Sequence, residues 1–498
     1  MFFNLKNCNN TEDFRQLAKN RLPGPIFHYI DGAADDEVTI KRNTEAYEQC
    51  DLVPNVLAGV ENIDMSVEVM GKKIDMPIFC SPTALQRLFH HDGELAVGKA
   101  AQKFNTFFGV SSLGTYSLKK IAENVSTPKI FQFYFHKDRG LNDNMVDKCK
   151  EANFDAIALT VDTITGGNRE RDLKTGFTSP PRLTLSSLIS FALHPMWAIN
   201  YFTHEKFELS QLKDYIKEGS NLAISVGDYF SSMLDQNMTW NDAEKLNQKW
   251  GKHFCLKGIM SVEDAKKAVD IGATAIMVSN HGGRQLDGSR SPFDQLSEIV
   301  DAVGDKIDVI CDGGIRRGTH ILKALSLGAK ACSGGRFYLY ALAAAGQPGV
   351  EKALLNMNAE ERRSIEDERM NALELDNAKE DKDEDDSDFS EEEEEPPQKR
   401  RRGTRNRNPG KGKGKGKKNA TAKKKVPKKI PFELLLSDEQ FRRAYTNANT
   451  KEPKKPRRRF CPVTGMPAIY RDPVTRTPYS TKEAFEQIRE KKPSVLLR

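Results

Sequence analysis

DVICDGGIRRGTHILKALSLGAKACSGGR, residues 308–336, decides the fold. Its opening run, Asp308–Asp312, is short and mostly apolar, without the polar alternation of a half-wetted strand, and so predicts a strand buried on both faces, as in a parallel sheet wrapped by helices. GTHILKALSLG follows with helical spacing and stops at Gly328, and a second apolar run then ends in Gly334-Gly335-Arg336. Strand, helix and parallel strand make one βα unit and the start of the next. Glycines at both strand ends let backbone N–H groups approach an anion, and Arg316 and Arg336 add charge beside them.

The same rhythm recurs upstream. Further runs begin at MPIFCSPT from 76, FFGVSS from 107, IFQFYF from 130, AIALTVD from 156, FCLKG from 254 and AIMVSNH from 275, which makes eight in all. Helical patterns separate most of them, for example Ser261 as N-cap to VEDAKKAVDI with Gly272 beyond it. Eight such units describe an α/β fold, a (β/α)8 or TIM barrel. Polar residues stand at the C-terminal ends of the runs: Thr83, Ser111, Gln132, Tyr134, Thr160, Asp162, Lys257, Ser279, His281, Asp312 and Arg336. In a barrel those ends converge on one mouth, where the active site is built. Runs four and five are about ninety residues apart, so an insertion of about 163–245 is expected, read as a lid over the mouth.

Composition divides the chain. Residues 1–356 hold 40 basic against 43 acidic side chains, residues 357–395 hold 5 against 19, and residues 396–498 hold 31 against 8. The overall net charge of +6 averages a neutral barrel with a strongly charged tail. Residues 1–356 are assigned to the barrel, 357–430 to an acidic-then-basic disordered linker, and 431–498 to a small C-terminal module. Within that module Ser480 and Glu483 form a capping-box pattern before Ala484, Phe485 and Ile488. No apolar run is long enough for a transmembrane helix. The eight cysteines lack a CxxC pair and read as reduced thiols of a cytoplasmic or nuclear protein. No metal-ligand spacing appears, so no metal is expected.

Run six ends in SNHGGRQLDG, residues 279–288, where His281 supplies an imidazole base and Arg284 a carboxylate-binding fork, with Asp162 placed to orient the imidazole. With YIDGAADDE, MPIFCSPTALQ, FQFYFHKDR, ALTVDT, GNRERD, LKGIMSVEDA and DGGIRRGTHILKALSLGA, this text resembles the flavin-mononucleotide-dependent 2-hydroxy-acid oxidase and L-lactate dehydrogenase family. The resemblance implies that Tyr29, Arg284 and Arg169 bind a substrate carboxylate. Tyr134 would hydrogen-bond the substrate hydroxyl, and His281 would take the hydroxyl proton or the α-proton. FMN would be held by Pro82, Thr83, Ala84, Ser111, Gln132, Thr160, Lys257, Ser279, Asp312, Gly313, Gly314, Arg316, Gly335 and Arg336. The implied reaction converts an (S)-2-hydroxy acid, L-lactate in the first reading, to its 2-oxo acid; the electron acceptor and a homo-oligomeric state stay open. Leu113 stands at a substrate-facing position where other members carry an aromatic residue. After Leu355 the family's apolar closing helix gives way to NMNAEERRSIEDERM, from which an incomplete eighth helix is expected.

The tail resembles something unrelated. RRRFCPVTGMPAIYRDPVTRTPYSTKEAFEQIRE is similar to the C-terminal module of histone-variant chaperone subunits of SWR-type chromatin remodelling complexes. That resemblance implies histones, DNA or a remodelling complex as partners, and a nuclear address through Lys399–Arg402. A second class of function is therefore a chromatin-complex subunit that carries the barrel as a passenger, or a chain that fuses two gene products. A third feature, LTLSSLISFALHPMWAINYF at 183–202, is too short and interrupted to cross a bilayer; it is read as part of the lid, with peripheral membrane contact as the alternative.

Overall fold

The computed structural model describes residues 4–53, 63–163, 165–177, 183–205, 208–212, 233–383, 428–431, 470–471 and 478–479. The chain divides into two compact units, Met1–Leu434 and Leu435–Arg498. In the first, a short strand β1 (Cys50–Val53) and an antiparallel hairpin of β2 (Val67–Val69) and β3 (Lys72–Ile74) precede the barrel. The barrel strands are β4 (Ile78–Thr83), β5 (Phe108–Ser111), β6 (Lys129–Phe133), β7 (Ala156–Thr160), β8 (His253–Ile259), β9 (Ala275–Val278), β10 (Asp308–Asp312) and β11 (Ala331–Gly334). Each pairs in parallel with the next, and Cys332 of β11 pairs with Ile78 of β4 to close the ring. Each of the eight strands coincides with one of the eight apolar runs, with β6 starting one residue before its run and β8 extending one residue beyond its run at each end.

Uniform burial is the reason these runs are strands. Every residue of β5, β6, β7, β9 and β11 is buried, because side chains on one pleat face fill the barrel and those on the other meet the helices. Inside, Phe79, Ile130, Ala158, Met277 and Ile310 join one apolar cluster with Val69, Met70 and Ile74 of the hairpin. The hairpin thus packs against the barrel interior, where the Met70 amide donates to Asp308 Oδ2 at 2.7 Å.

The helices that concern the site are α1 (Thr11–Arg21), α2 (Gly24–Asp31), α3 (Val38–Glu48), α4 (Gln86–Phe89), α5 (Gly93–Lys103), α6 (Leu118–Asn124), α7 (Arg139–Glu151), α8 (Glu170–Thr175), α9 (Leu185–Ala192), α10 (Pro195–Thr203), α11 (Trp240–Trp250), α12 (Val262–Asp270), α13 (Pro292–Val303), α14 (Gly318–Ser326) and α15 (Arg336–Asp383). Ser261 caps α12 by accepting from the Asp264 amide at 3.1 Å.

α15 corrects one expectation. It kinks at Ala345 and Gly346 and then runs straight through Leu355, so the eighth helix is not incomplete. Val350, Ala353, Leu354, Met357, Glu361 and Ile365 are buried at helical spacing. Glu360 accepts from the Gly318 amide and from Arg317 Nη1, both at 3.0 Å, and so caps α14 with a residue of the altered segment. At the end of the linker, Lys428–Pro431 forms a strand paired in parallel with β1, with Ile430 in register with Leu52.

The second unit is described only at Tyr470–Arg471 and Pro478–Tyr479, an antiparallel pair. Lys399–Arg402, Ser480, Glu483, Ala484, Phe485, Ile488 and the acidic run from 384 lie outside the described residues. No helix among the described residues is long and apolar enough to cross a membrane.

Candidate active site

At the C-terminal ends of β10 and β11 the chain turns sharply. Gly313 and Gly314 take φ values of 112° and 76°, which L side chains rarely adopt. A Cβ on Gly314 would lie 2.1 Å from the Asn43 carbonyl, whereas one on Gly313 would meet nothing within 4 Å. Gly314 is required by packing against α3, and Gly313 faces open space. Arg316 donates to the Ile315 carbonyl at 2.9 Å beside this gap. Arg336 has already committed three N–H groups, to the carbonyls of Ile30 (2.9 Å), Gly282 (2.9 Å) and Gly32 (2.8 Å). It ties α2 to the β9 turn while lining the same cavity.

Behind the glycines lies a buried charge pair. Lys257 at the end of β8 bonds Asp312 through Nζ and also donates to Ser279 Oγ at 3.0 Å. Ser279 (2.7 Å) donates to one oxygen of Asp312, while Ser81 (2.5 Å) and Ser333 (2.5 Å) donate to the other. Burial pushes the Asp312 carboxyl up, but Lys257 and the serine hydroxyls outweigh it and hold it at about 2. Burial likewise opposes the charge on Lys257, and Asp312 with Asp162 raises it above the ordinary lysine value. The cation therefore stays charged inside the mouth. A parallel chain of neutral groups runs across β5, β6 and β7: Ser111 Oγ donates to Gln132 Oε1 at 3.0 Å, and Gln132 Nε2 donates to Thr160 Oγ1 at 2.8 Å.

His281 follows β9 at φ 57°, a left-handed conformation unusual for a residue with a side chain. Asn280 anchors the turn by a reciprocal amide pair with Asn43 at 2.7 and 2.8 Å. His281 Nδ1 lies 3.0 Å from Asp162 Oδ1 and 3.3 Å from Thr163 Oγ1. Burial raises the Asp162 carboxyl, yet His281 and Lys257 more than offset this, and its net shift is downward.

Opposite, the Tyr29 ring is flanked by two guanidinium groups, Arg284 at 4.7 Å and Arg169 at 5.8 Å from its centroid. Arg284 Nη1 donates to the carbonyls of Tyr29 (2.5 Å) and Gly32 (3.2 Å). Arg169 Nε donates to Asp172 Oδ2 at 2.8 Å. Burial and the neighbouring Arg169 lower the Arg284 pKa. Burial raises the Tyr134 phenol, so it stays protonated and able to donate. Phe89 stacks on Tyr29 with centroids 6.2 Å apart and planes 29° apart, and Phe177 meets the other edge at 5.3 Å.

All of this surrounds one open cavity at the barrel mouth. Tyr29, Pro82, Thr83, Ala84, Ser111, Gln132, Tyr134, Arg169, Lys257, His281, Arg284, Asp312, Gly313, Gly314, Arg316, Gly335 and Arg336 all line it. Asp162, Thr160 and Ser279 do not; each holds a lining residue from behind. Ser81, Phe89, Thr163 and Gln285 also line it and were missed. Ser81 sits inside an apolar run and carried a findable signal, since a hydroxyl there needs a buried partner. Phe89 carried none. The lid expectation for residues 183–202 is corrected, because none of them lines this cavity. Instead Ser187 donates to the Thr175 carbonyl at 2.7 Å, and Ser190 accepts from the Gly24 amide at 2.8 Å. Those contacts seat the two helices on neighbouring chain outside the mouth.

Residues 18–367 match the family described as FMN-dependent dehydrogenase, and residues 460–488 match the YL1 nuclear protein C-terminal domain. The chain is 37% identical to glycolate oxidase 1 of Oryza sativa over 70% of its own length and 89% of that protein. It is 39% identical to an L-lactate oxidase of Nostoc over 69% of its length and 90% of that protein. Among solved structures, one titled as the monotopic membrane protein (S)-mandelate dehydrogenase superposes with a TM-score of 0.68 at 32% identity, covering 72% of this chain and 95% of that one.

Proposed function

Since the chain belongs to the FMN-dependent dehydrogenase family and is an FMN-dependent 2-hydroxy-acid oxidoreductase by that membership, we propose that its substrate is a small (S)-2-hydroxy acid, L-lactate first among them. One observation carries this: a carboxylate clamp of Tyr29, Arg169 and Arg284 faces the His281–Asp162 pair across a single cavity.

The residues present suit FMN. The open cradle at Gly313, the guanidinium of Arg316 and the Gly335 turn would take its phosphate, Lys257 its pyrimidine end, and the Ser111–Gln132–Thr160 chain its ring polar atoms. When bound, FMN supplies the two-electron acceptor that no side chain offers. The chain's own groups do the rest. Arg284 and Arg169 fix the carboxylate, and Tyr134 donates to the substrate hydroxyl. His281 removes the hydroxyl proton or the α-proton, while Asp162, ionised and hydrogen-bonded to Nδ1, leaves Nε2 as the basic atom and stabilises the imidazolium. Phe89 and Leu113 also line the cavity, and Leu113, smaller than the aromatic residue other members carry there, leaves the size of the substrate side chain open. The test is anaerobic titration of the FMN-loaded protein with L-lactate, glycolate and (S)-mandelate: bleaching of the yellow colour by L-lactate at the lowest concentration supports the proposal, and no bleaching by any of them overturns it.

A second reading rests on the match at 460–488. We propose that the tail binds histones or DNA, takes the chain to the nucleus and docks on a remodelling complex. Opposite charge blocks support it, since an acidic run can hold basic histones and a Lys/Gly run can neutralise phosphates. Histone capture by the full chain at low salt, lost on truncation after 383, supports this; equal capture by both forms sinks it.

A further inference from the structure

Outside the catalytic cavity, the described residues bring one set of metal-type donors together: His90, His91 and Asp92, between α4 and α5, whose ligand atoms all lie within 4.8 Å of one another. Three adjacent residues have none of the spacing by which metal ligands are read in a sequence, so only the turn that gathers them shows the set. His91 Nδ1 lies 3.1 Å from Asp92 Oδ1, and His90 Nδ1 lies 3.5 Å from Asp92 Oδ2. Two donors held 2.0–2.1 Å from a tetrahedral zinc ion stand about 3.3–3.4 Å apart, so both separations are close to those of a ligand set. Asp92 is also the N-cap of α5, where an aspartate ordinarily accepts from a first-turn amide. Here its side chain makes no such bond and faces the two imidazoles instead.

The imidazoles are held in the state that a metal needs. The Asp92 amide donates to His90 Nδ1 at 3.3 Å, which turns that nitrogen's lone pair toward the set and leaves the ring proton on Nε2. Burial, and then the neighbouring His91, lowers His90 to about 4, and burial lowers His91 although Asp92 opposes it. Both rings are therefore neutral at neutral pH, the form that ligates. His91 stacks on His90 at 4.4 Å and His204 on His91 at 3.8 Å, which brings a third imidazole to the cluster. Arg21 and Arg87 oppose a cation here, and both guanidinium groups are turned to backbone carbonyls, of Ala344 and Glu205. His90 and His91 line a second cavity together with His194, Asn200 and Tyr201. We propose that His90, His91 and Asp92 form a site for a divalent transition metal of the zinc class, with its fourth position open to this second cavity. Two imidazoles and one carboxylate suit zinc, whereas magnesium and calcium take oxygen ligands. None of the three lines the catalytic cavity, although Phe89, next in the chain, lines both, so metal binding is measurable apart from turnover.

The test is calorimetric titration of the FMN-loaded full chain with Zn²⁺ in excess Mg²⁺, which occupies carboxylate-only sites such as the acidic run of the tail. Wild type is expected to bind one Zn²⁺, and His91→Ala and Asp92→Asn each to lose at least about ten-fold in affinity while keeping the flavin spectrum. His194→Ala, in the same cavity but outside the set, is expected to bind as wild type does. Absence of Zn²⁺ binding by wild type, or equal affinity of wild type and both ligand variants, overturns the proposal. So does an equal loss in His194→Ala, since the ion would then be held by a different set of donors.

Discussion

Lys257 and Asp312 form an ion pair that is 4% and 5% exposed, between the ends of β8 and β10. Three serines complete the hydrogen bonding of the carboxylate, which is what a buried pair needs to hold against its desolvation cost.

Removing one partner of this pair is expected to be worse than removing both. Lys257→Met leaves an uncompensated carboxylate and should cost about 3–5 kcal/mol, whereas Lys257→Met/Asp312→Asn should recover much of that, read by urea unfolding. Because the folded carboxyl is held at about 2, below its unfolded value, the stabilisation is full above roughly pH 4 and declines as pH falls toward 2. Equal stability of the single and double variants would show that the pair is not coupled.

His281→Ala should abolish bleaching by L-lactate while FMN stays bound, because the imidazole is off the glycine corner. Asp162→Asn should slow flavin reduction by about 10²–10⁴-fold, through lost orientation and lost charge on the imidazole. Stopped-flow reduction of the loaded enzyme checks both, and unchanged reduction in His281→Ala would remove the base from the mechanism.

Phe89→Ala should widen the acid side-chain pocket. The ring is 3% exposed and stacks on Tyr29, so its loss frees space beside the clamp without touching an arginine. The ratio of kcat/KM for (S)-mandelate over L-lactate is expected to rise at least about ten-fold, in the range one pocket contact commands. An unchanged ratio would place the substrate side chain elsewhere.

Glu361 is fully buried on α15, and neither of its carboxylate oxygens has a hydrogen-bond partner among the described residues. Burial alone pushes its pKa to about 8. The unfolded chain then releases this proton at lower pH than the folded one, so stability falls as pH rises from about 4.5 to 8. Glu361→Gln, which mimics the neutral acid, should raise Tm at pH 8 by several degrees and change it little at pH 5. A shift of equal size at both pH values would mean that the gain is in packing and not in ionisation.

Much of this molecule is written locally. A strand buried on both faces must be apolar throughout, and a barrel must bring its strand ends to one mouth, so eight apolar runs with polar ends located both fold and cavity before any coordinate. His281, Arg284, Lys257 and the glycine corners were legible for the same reason. Phe89 was not, because an aromatic residue at the end of a short helix reads as core until Tyr29, from a distant part of the chain, is seen against it. Nor was the completion of α15: its polar text discouraged a helix, and only packing with α14 shows Glu360 as a cap and Met357 and Ile365 as buried. The apolar content of 183–202 was plain in the sequence, but the direction it faces was not. Helical periodicity defines a face, whereas the partner that face meets is settled by which backbone groups the serines can reach, and those belong to Thr175 and Gly24.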